Sequence, residues 1–407
     1  MPTLRYISVA RFPTEKAHGL QIAQNCEAFA DVGYDVQLWA SKRKNTSQLM
    51  PVEAIYPHYG IKANFVIKRI SSIDLYRFSN GNLKLEKIAF FIHIISYCLV
   101  IIFNTIFNKA DVYYSRDKYV ILALSLIVPR EKLVYEAHQF SSSGSGAQTQ
   151  QLLANRVGSI ITITTRLGQD FIEKCSVTPE KILVAHDGIR KERFMNLPDK
   201  TTTRQAIGWD EDAFIVGFVG RLQMLEGLDK GVGTLLDALA QLDNVSIGLV
   251  GGPEKSVADL QNRWQSHGLS ADNFLYAGQV PADDVPRYLS AFDICAMPHP
   301  FNTQFAYYTS PLKLFEYMAS ERPIVASDLP SWADVVTHEQ TALLVPASDV
   351  DALANAIKRL RDDKILSQKI ADNAHQLVMN KYTWIARAQA IKAHLDREDS
   401  HAYSTAQ

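Results

Sequence analysis

Short apolar runs alternate with helix-patterned segments along this chain, and the alternation stops once and then starts again. Before the break the runs are TLRYISV, YDVQLWA, NFVIKRI, ADVYYS, KLVYEA, SIITIT and KILVAH; after it they are AFIVGFVG, VSIGLVG, NFLYAG, DICAMP, PIVAS and ALLVP. Helical patterns lie between them, among others over residues 20–31, 150–157, 233–240, 256–267, 283–290 and 311–319. Strand, helix, strand repeated in this way gives a parallel sheet covered on both faces. Residues 187–212 are polar and turn-rich without a clear strand and read as the connection. An α/β chain of two doubly wound units in tandem is the economical fold, and 407 residues are too many for one ordinary core. The expected division is 1–188, 189–374, a last helical stretch over 375–397 and a polar flexible tail over 398–407. The segment SSSGSG, residues 141–146, reads as a mobile loop at the top of a strand.

Charge and cysteine usage exclude several classes. The net charge is −1, which gives no footprint for nucleic acid. Cys26, Cys98, Cys175 and Cys295 are far apart with no Cys-x-x-Cys pair, which argues against a zinc site or a secreted disulfide framework and fits a reducing, cytoplasmic setting. No G-x-G-x-x-G follows the first strand, against a nicotinamide or flavin enzyme. The His, Asp and Glu residues show no metal-ligand spacing; the pairs Asp283-Asp284 and Asp362-Asp363 read as helix caps, and no cofactor is expected. Residues 88–107, IAFFIHIISYCLVIIFNTIF, are long and apolar enough to span a bilayer. Strand-like runs on both sides must return to one sheet, so a buried or interfacial crossover helix is favoured over a span. Lys84, Lys87 and Lys109 flank it, as suits peripheral contact with the cytoplasmic face of a membrane.

Ligands of parallel sheets sit at the carboxyl ends of strands, so the residues standing there are the candidates. Gly19 opens a helix after the first strand, where a backbone N–H could approach an anion; an ordinary strand-to-helix turn explains it equally well. His138 follows KLVYEA and could donate to a sugar hydroxyl or move a proton, although a histidine satisfied by local backbone is the commoner case. Gly220 and Gly231 bracket Arg221 and Lys230 after AFIVGFVG, and two such cations would offset a leaving diphosphate. Thr309, Ser310 and Pro311 form a helix-start signal, and the free N–H groups of that turn make an anion site. Glu316 lies about one and a half turns into this helix, where a carboxylate can accept both hydroxyls of a ribose.

These motifs resemble those of the family 4 glycosyltransferases, of GT-B fold. The resemblance is carried by GRL with the later DKG, YAGQV, SPLKLFEYMAS, RPIVASDLP, TALLVP and YTWIARA, and in the first half by AHGLQI, YYSR and VYEAH. It implies two Rossmann-like domains facing across a cleft, a nucleotide-sugar donor linked to UDP or GDP, and a glycan or lipid-linked acceptor in cell-surface polysaccharide or glycoconjugate synthesis. Retention at the anomeric carbon, no required metal, and a last helix that crosses back to the first domain also follow. Carried across, Arg221 and Lys230 bind the donor diphosphate, Glu316 the ribose, and Gln279 and Val280 the base. Gly19 approaches the diphosphate, His138 contacts the transferred sugar, and Arg116 lines the same cleft. The turn Tyr308, Thr309, Ser310, Pro311, Leu312 completes the donor site, with His138, Arg221 and Lys230 as the catalytic set. The family glutamate eight residues before Glu316 is replaced by Tyr308, which leaves the sugar open, and QMLEGLD between Arg221 and Lys230 is an enlarged loop. A nucleotide-sugar epimerase or a non-catalytic nucleotide-sugar binding protein of the same fold remains as the alternative.

Overall fold

A computed structural model describes residues 1–14, 16–43, 50–78, 82–222 and 230–404, with the backbone alone given at 17, at 77 and over 398–404. The enlarged loop expected at residues 223–229 lies outside the described residues. The chain divides into two compact units, Met1–His186 with Trp384–Gln407, and Asp187–Thr383.

The first unit runs β1 (Thr3–Arg11), α1 (Ala17–Asp31), β2 (Asp35–Ser41), α2 (Val52–His58), β3 (Val66–Ile70), α3 (Leu83–Phe107), β4 (Val112–Ser115), α4 (Lys118–Leu124), β5 (Leu133–Ala137), α5 (Gly144–Arg156), β6 (Ser159–Thr162), α6 (Thr165–Cys175) and β7 (Ile182–Val184). Its seven strands lie in the order β3-β2-β1-β4-β5-β6-β7. The chain leaves β1, β2 and β3 for one edge and crosses to β4 for the other, which is the doubly wound arrangement. Helix α5 begins at Gly144, so the expected mobile loop supplies its first turn. Gly144 has φ +58, and a side chain on Gly146 would meet Ser141 Cβ at 2.9 Å, so the two glycines admit a sharp entry into the helix.

Helix α3 makes the crossover from β3 to β4. Its stripe of Ala89, His93, Ile94, Tyr97, Cys98, Ile101 and Thr105 is buried, at a spacing that places it on one face. The Tyr97 hydroxyl sits 2.9 Å from the carbonyl of Ser8 and 2.7 Å from that of Trp39, which seats the helix on β1 and β2. Each buried Ile of the stripe stabilises that seat by about 1.5–3 kcal/mol. The opposite face is apolar and exposed: Leu99 is 62%, Phe103 63% and Phe107 70% accessible.

The second unit runs α7 (Lys200–Ile207), β8 (Ile215–Val219), α8 (Val232–Leu239), β9 (Ser246–Val250), α9 (Val257–Ser266), β10 (Phe274–Gly278), α10 (Val285–Ser290), β11 (Ile294–Met297), α11 (Thr303–Tyr307), α12 (Leu312–Ala319), β12 (Ile324–Ser327), α13 (Pro330–Ala333), β13 (Leu343–Val345), α14 (Val350–Asp362) and α15 (Lys364–Lys381). Its parallel sheet is ordered β10-β9-β8-β11-β12-β13. Alternation along β8 sends Val216 and Phe218 to the core under α8, α9 and α14, and Ile215 and Val219 to the core under α10, α12 and α15. Residues 187–212, which read as a connection, fold onto this unit through α7. Asp293 holds that helix: it takes Lys200 at 2.6 Å and Arg204 at 2.7 Å, and it accepts from the Ile215 amide. Asp363 caps α15 by accepting from the Leu366 amide, whereas Asp283 pairs with Arg193 at 3.1 Å. The final helix α16 (Trp384–Ser404) belongs to the first unit, while α15 stays with the second.

Candidate functional site

The second unit gathers its cations where β8 ends. Gly220, at φ +146, donates its N–H to the Val250 carbonyl, and the backbone of Gly251 comes so close that a side chain there would meet Gly220 O at 1.9 Å. Arg221 follows, exposed. The chain re-enters at Lys230, and Gly231 takes φ +84 because a Cβ there would lie 1.7 Å from the Pro298 carbonyl oxygen. This contact ties the start of α8 to the end of β11 and leaves Lys230 half-buried. Burial first, and then the charges of Lys313 and Arg221, hold the Lys230 ammonium below the ordinary lysine range.

Helix α12 supplies the neighbouring side. It begins at Leu312, with Pro311 as its N-cap rather than its first residue, because ψ 99 at Pro311 is not helical. Ser310 is already engaged within the unit: its Oγ accepts from the Asp187 amide at 2.9 Å. The Thr309 hydroxyl donates to Gln304 O at 2.8 Å, and Tyr308, half-buried, is the C-cap of α11 with its N–H on the same carbonyl. Lys313 lies 4.0 Å from the place a Cβ on Gly220 would take, and its Nζ donates to Glu316 Oε2 at 2.6 Å. Tyr317 fixes the helix against β8, its hydroxyl accepting from the Val219 amide at 2.7 Å. Gln279 follows β10 exposed, and Val280 packs on the core.

Lys313 and His299 were missed in the sequence. The signal for Lys313 was its i, i+3 spacing to Glu316. His299 sits just beyond β11, boxed edge-on by Phe305 and Trp332 at 4.9 and 5.0 Å. Burial and then Lys230 push its pKa down to about 3, so it stands beside the cations as a neutral ring.

In the first unit, Gly19 lies in the first turn of α1, its N–H donating to Lys16 O. A side chain there would meet the Tyr59 hydroxyl at 2.5 Å and Thr14 Cγ2 at 2.6 Å, so close packing requires this glycine. Arg116, past β4, donates to Gln21 Oε1. His138, past β5, places Nε2 2.5 Å from Glu136 Oε1. Both His138 and Arg116 line a cavity of 320 Å³ whose wall includes Phe90 and Ile94 of α3. Among the described residues no three His, Cys, Asp or Glu side chains gather as a metal would need.

Residues 213–363 match the family Glycosyl transferases group 1. Over 262 residues the chain is 26% identical to the D-inositol 3-phosphate glycosyltransferase of Streptomyces avermitilis, an overlap covering 60% of this chain and 54% of the relative. Over 212 residues it is 29% identical to the lipopolysaccharide core biosynthesis mannosyltransferase LpsB of Rhizobium meliloti, covering 51% and 58%. The chain thus spans little more than half the length of these curated relatives. The structure of Anabaena HepE in complex with UDP matches 98% of this chain and 100% of its own, with a TM-score of 0.72 at 20% identity. That likeness shows the fold, two Rossmann-like domains of the GT-B type.

Proposed function

We propose that this protein is a retaining glycosyltransferase of the family 4 type, moving a hexose from a UDP- or GDP-linked donor to a lipid-linked glycan. One observation carries the reading: Arg221, Lys230 and Lys313 gather at the end of β8 and the start of α12, with Lys230 held below its ordinary range by burial and by the other two. Like charges kept together in a partly dry place are costly until an anion joins them. The reaction needs such a place, because breaking the bond between the anomeric carbon and the diphosphate leaves charge on the departing oxygen. Arg221 and Lys230 take up that charge, Glu316 accepts the ribose hydroxyls, and Gln279 and Val280 meet the base. His138 meets the transferred sugar, with Arg116 beside it. Protein cations, not a divalent ion, neutralise the diphosphate.

The lipid-linked acceptor is supported by the exposed apolar face of α3, flanked by exposed Lys84, Lys87 and Lys109, and by the lipopolysaccharide named for one relative. Such a face suits an interfacial helix on the cytoplasmic leaflet. The test is release of free nucleotide from UDP- and GDP-sugars in excess chelator, with and without polyprenyl-diphosphate-linked glycans. Acceptor-dependent release, with retained anomeric configuration, is expected. Binding of a donor without turnover over the whole acceptor panel would refute the transferase reading. Flotation with anionic vesicles should carry the protein upward, and failure to float would remove the membrane from the account.

A further inference from the structure

Glu136 is a carboxylate inside the fully buried strand β5, with no exposed surface. Its Oε1 faces His138 Nε2 at 2.5 Å and accepts from Gln21 Nε2 at 3.0 Å. Its Oε2 accepts from the Tyr114 hydroxyl and lies 3.2 Å from Arg387 Nη2. Arg387 is itself buried and comes from α16, the last helix; it also donates to Asn25 Oδ1 at 2.6 Å and to Ala185 O at 3.3 Å. Burial alone would raise the Glu136 pKa. Arg387, then the hydrogen bond from His138, then Arg116 outweigh it and hold the carboxyl well below the usual range.

An ionised carboxylate can only accept. The nitrogen that faces it must therefore carry the proton, which makes Nε2–H the neutral tautomer of His138 and leaves Nδ1 as the free lone pair. Arg116 donates to Gln21 Oε1, so the Gln21 amide nitrogen is the end turned toward Glu136. The 3.3 Å approach between Gln21 Nε2 and His138 Nε2 is what two donors sharing one oxygen produce. Of these groups His138 and Arg116 reach the cavity, whereas Glu136 and Arg387 do not line it.

We infer that Glu136 and Arg387 are positioning residues for His138: the carboxylate faces Nε2 and sets its tautomer, and the guanidinium from the last helix holds the carboxylate's other oxygen in a dry strand. The inference rests on the reading that His138 meets the transferred sugar. It makes α16 part of the His138 site, although that helix follows the whole second unit in sequence.

The test compares the full chain with E136Q/R387M, which removes both buried charges together so that neither is left alone, and with R387K, which keeps the charge. Each is labelled with ¹⁵N-histidine, and H138Q identifies the His138 signal. Wild type and R387K should show the Nε2–H signature. The double variant should melt near wild type yet show a mixed tautomer. Its kcat should fall about 100-fold, the scale of a proton-moving or donating group, with nucleoside diphosphate Kd unchanged. If the double variant keeps the wild-type tautomer, or keeps wild-type kcat with the tautomer lost, Glu136 and Arg387 are only a structural pair and the inference falls. Wild-type kcat in H138Q would overturn the role given to His138, and that result is distinct from either of the others.

Discussion

In the first unit the carboxylate of Glu136 is met from both sides, by Arg387 and Tyr114 on one oxygen and by His138 and Gln21 on the other. In the second unit Lys230 lies beside Lys313 and Arg221, and Glu316, a nearby carboxylate, is already engaged by Lys313. The first arrangement is closed: every charge has its partner, so the group fixes geometry. Among the described residues the second gathers three cations around one carboxylate in a half-buried place, an arrangement that an anion would relieve. Two sheets of the same winding thus do different electrostatic work, and the difference lies in a few side chains at strand ends rather than in the fold.

The largest effect should come from reducing the excess. Lys230→Ala is expected to weaken nucleoside diphosphate binding by about 1.5–3 kcal/mol, roughly 10–150-fold, as for a hydrogen bond to a charged group. Calorimetry that finds an unchanged Kd would remove Lys230 from the site.

Glu316→Gln sharpens the comparison, because it frees Lys313 while removing the acceptor proposed for ribose. Nucleoside diphosphate affinity should fall about tenfold, the lower end for a hydrogen bond to a charged group. Inorganic pyrophosphate, which has no ribose, should bind as well as before or better. An equal loss for both ligands would assign Glu316 to the integrity of α12 instead.

Tyr308→Glu is the smallest step and adds a negative charge at the C-cap of α11, four residues before α12 begins. Hydrogen bonds to a charged group are roughly twice as strong as neutral ones. The substitution should shift kcat/KM toward plain hexose donors over deoxy and N-acetyl donors by about fivefold, the difference between those bond classes. Competition between matched donors that shows no shift would mean that Tyr308 does not read the sugar.

Much of this molecule is legible in its residues alone. All thirteen apolar runs are strands, because a strand buried on both faces is a short continuous apolar segment bounded by turns. The cations are legible because strand ends of parallel sheets are where ligands sit. Helix α7 is hidden in a polar stretch, since what holds it is the ion pairing of Arg204 and Lys200 to Asp293, far along the chain. The residues do offer one sign of the Glu136 cluster, a lone carboxylate within LVYEA. Its partner Arg387 lies in YTWIARA, but nothing local ties it to Glu136, because the last helix meets β5 only through tertiary folding. Lys313 is spaced in sequence only to meet Glu316, and its approach to Gly220 and to Lys230 places it among the cations.

The central claim, that the cations beside Lys230 in the second unit hold the donor diphosphate, can be tested through protons. In the free protein the Lys230 pKa lies below its ordinary value. A diphosphate beside it would raise that pKa, so in alkaline buffer binding should take up protons. Calorimetry of UDP and GDP binding, run in excess chelator and in two buffers of different ionisation enthalpy, reads this directly. The account predicts saturable binding with proton uptake that disappears in Lys230→Ala. Absence of binding, or binding with no proton uptake in the wild-type protein, would contradict it.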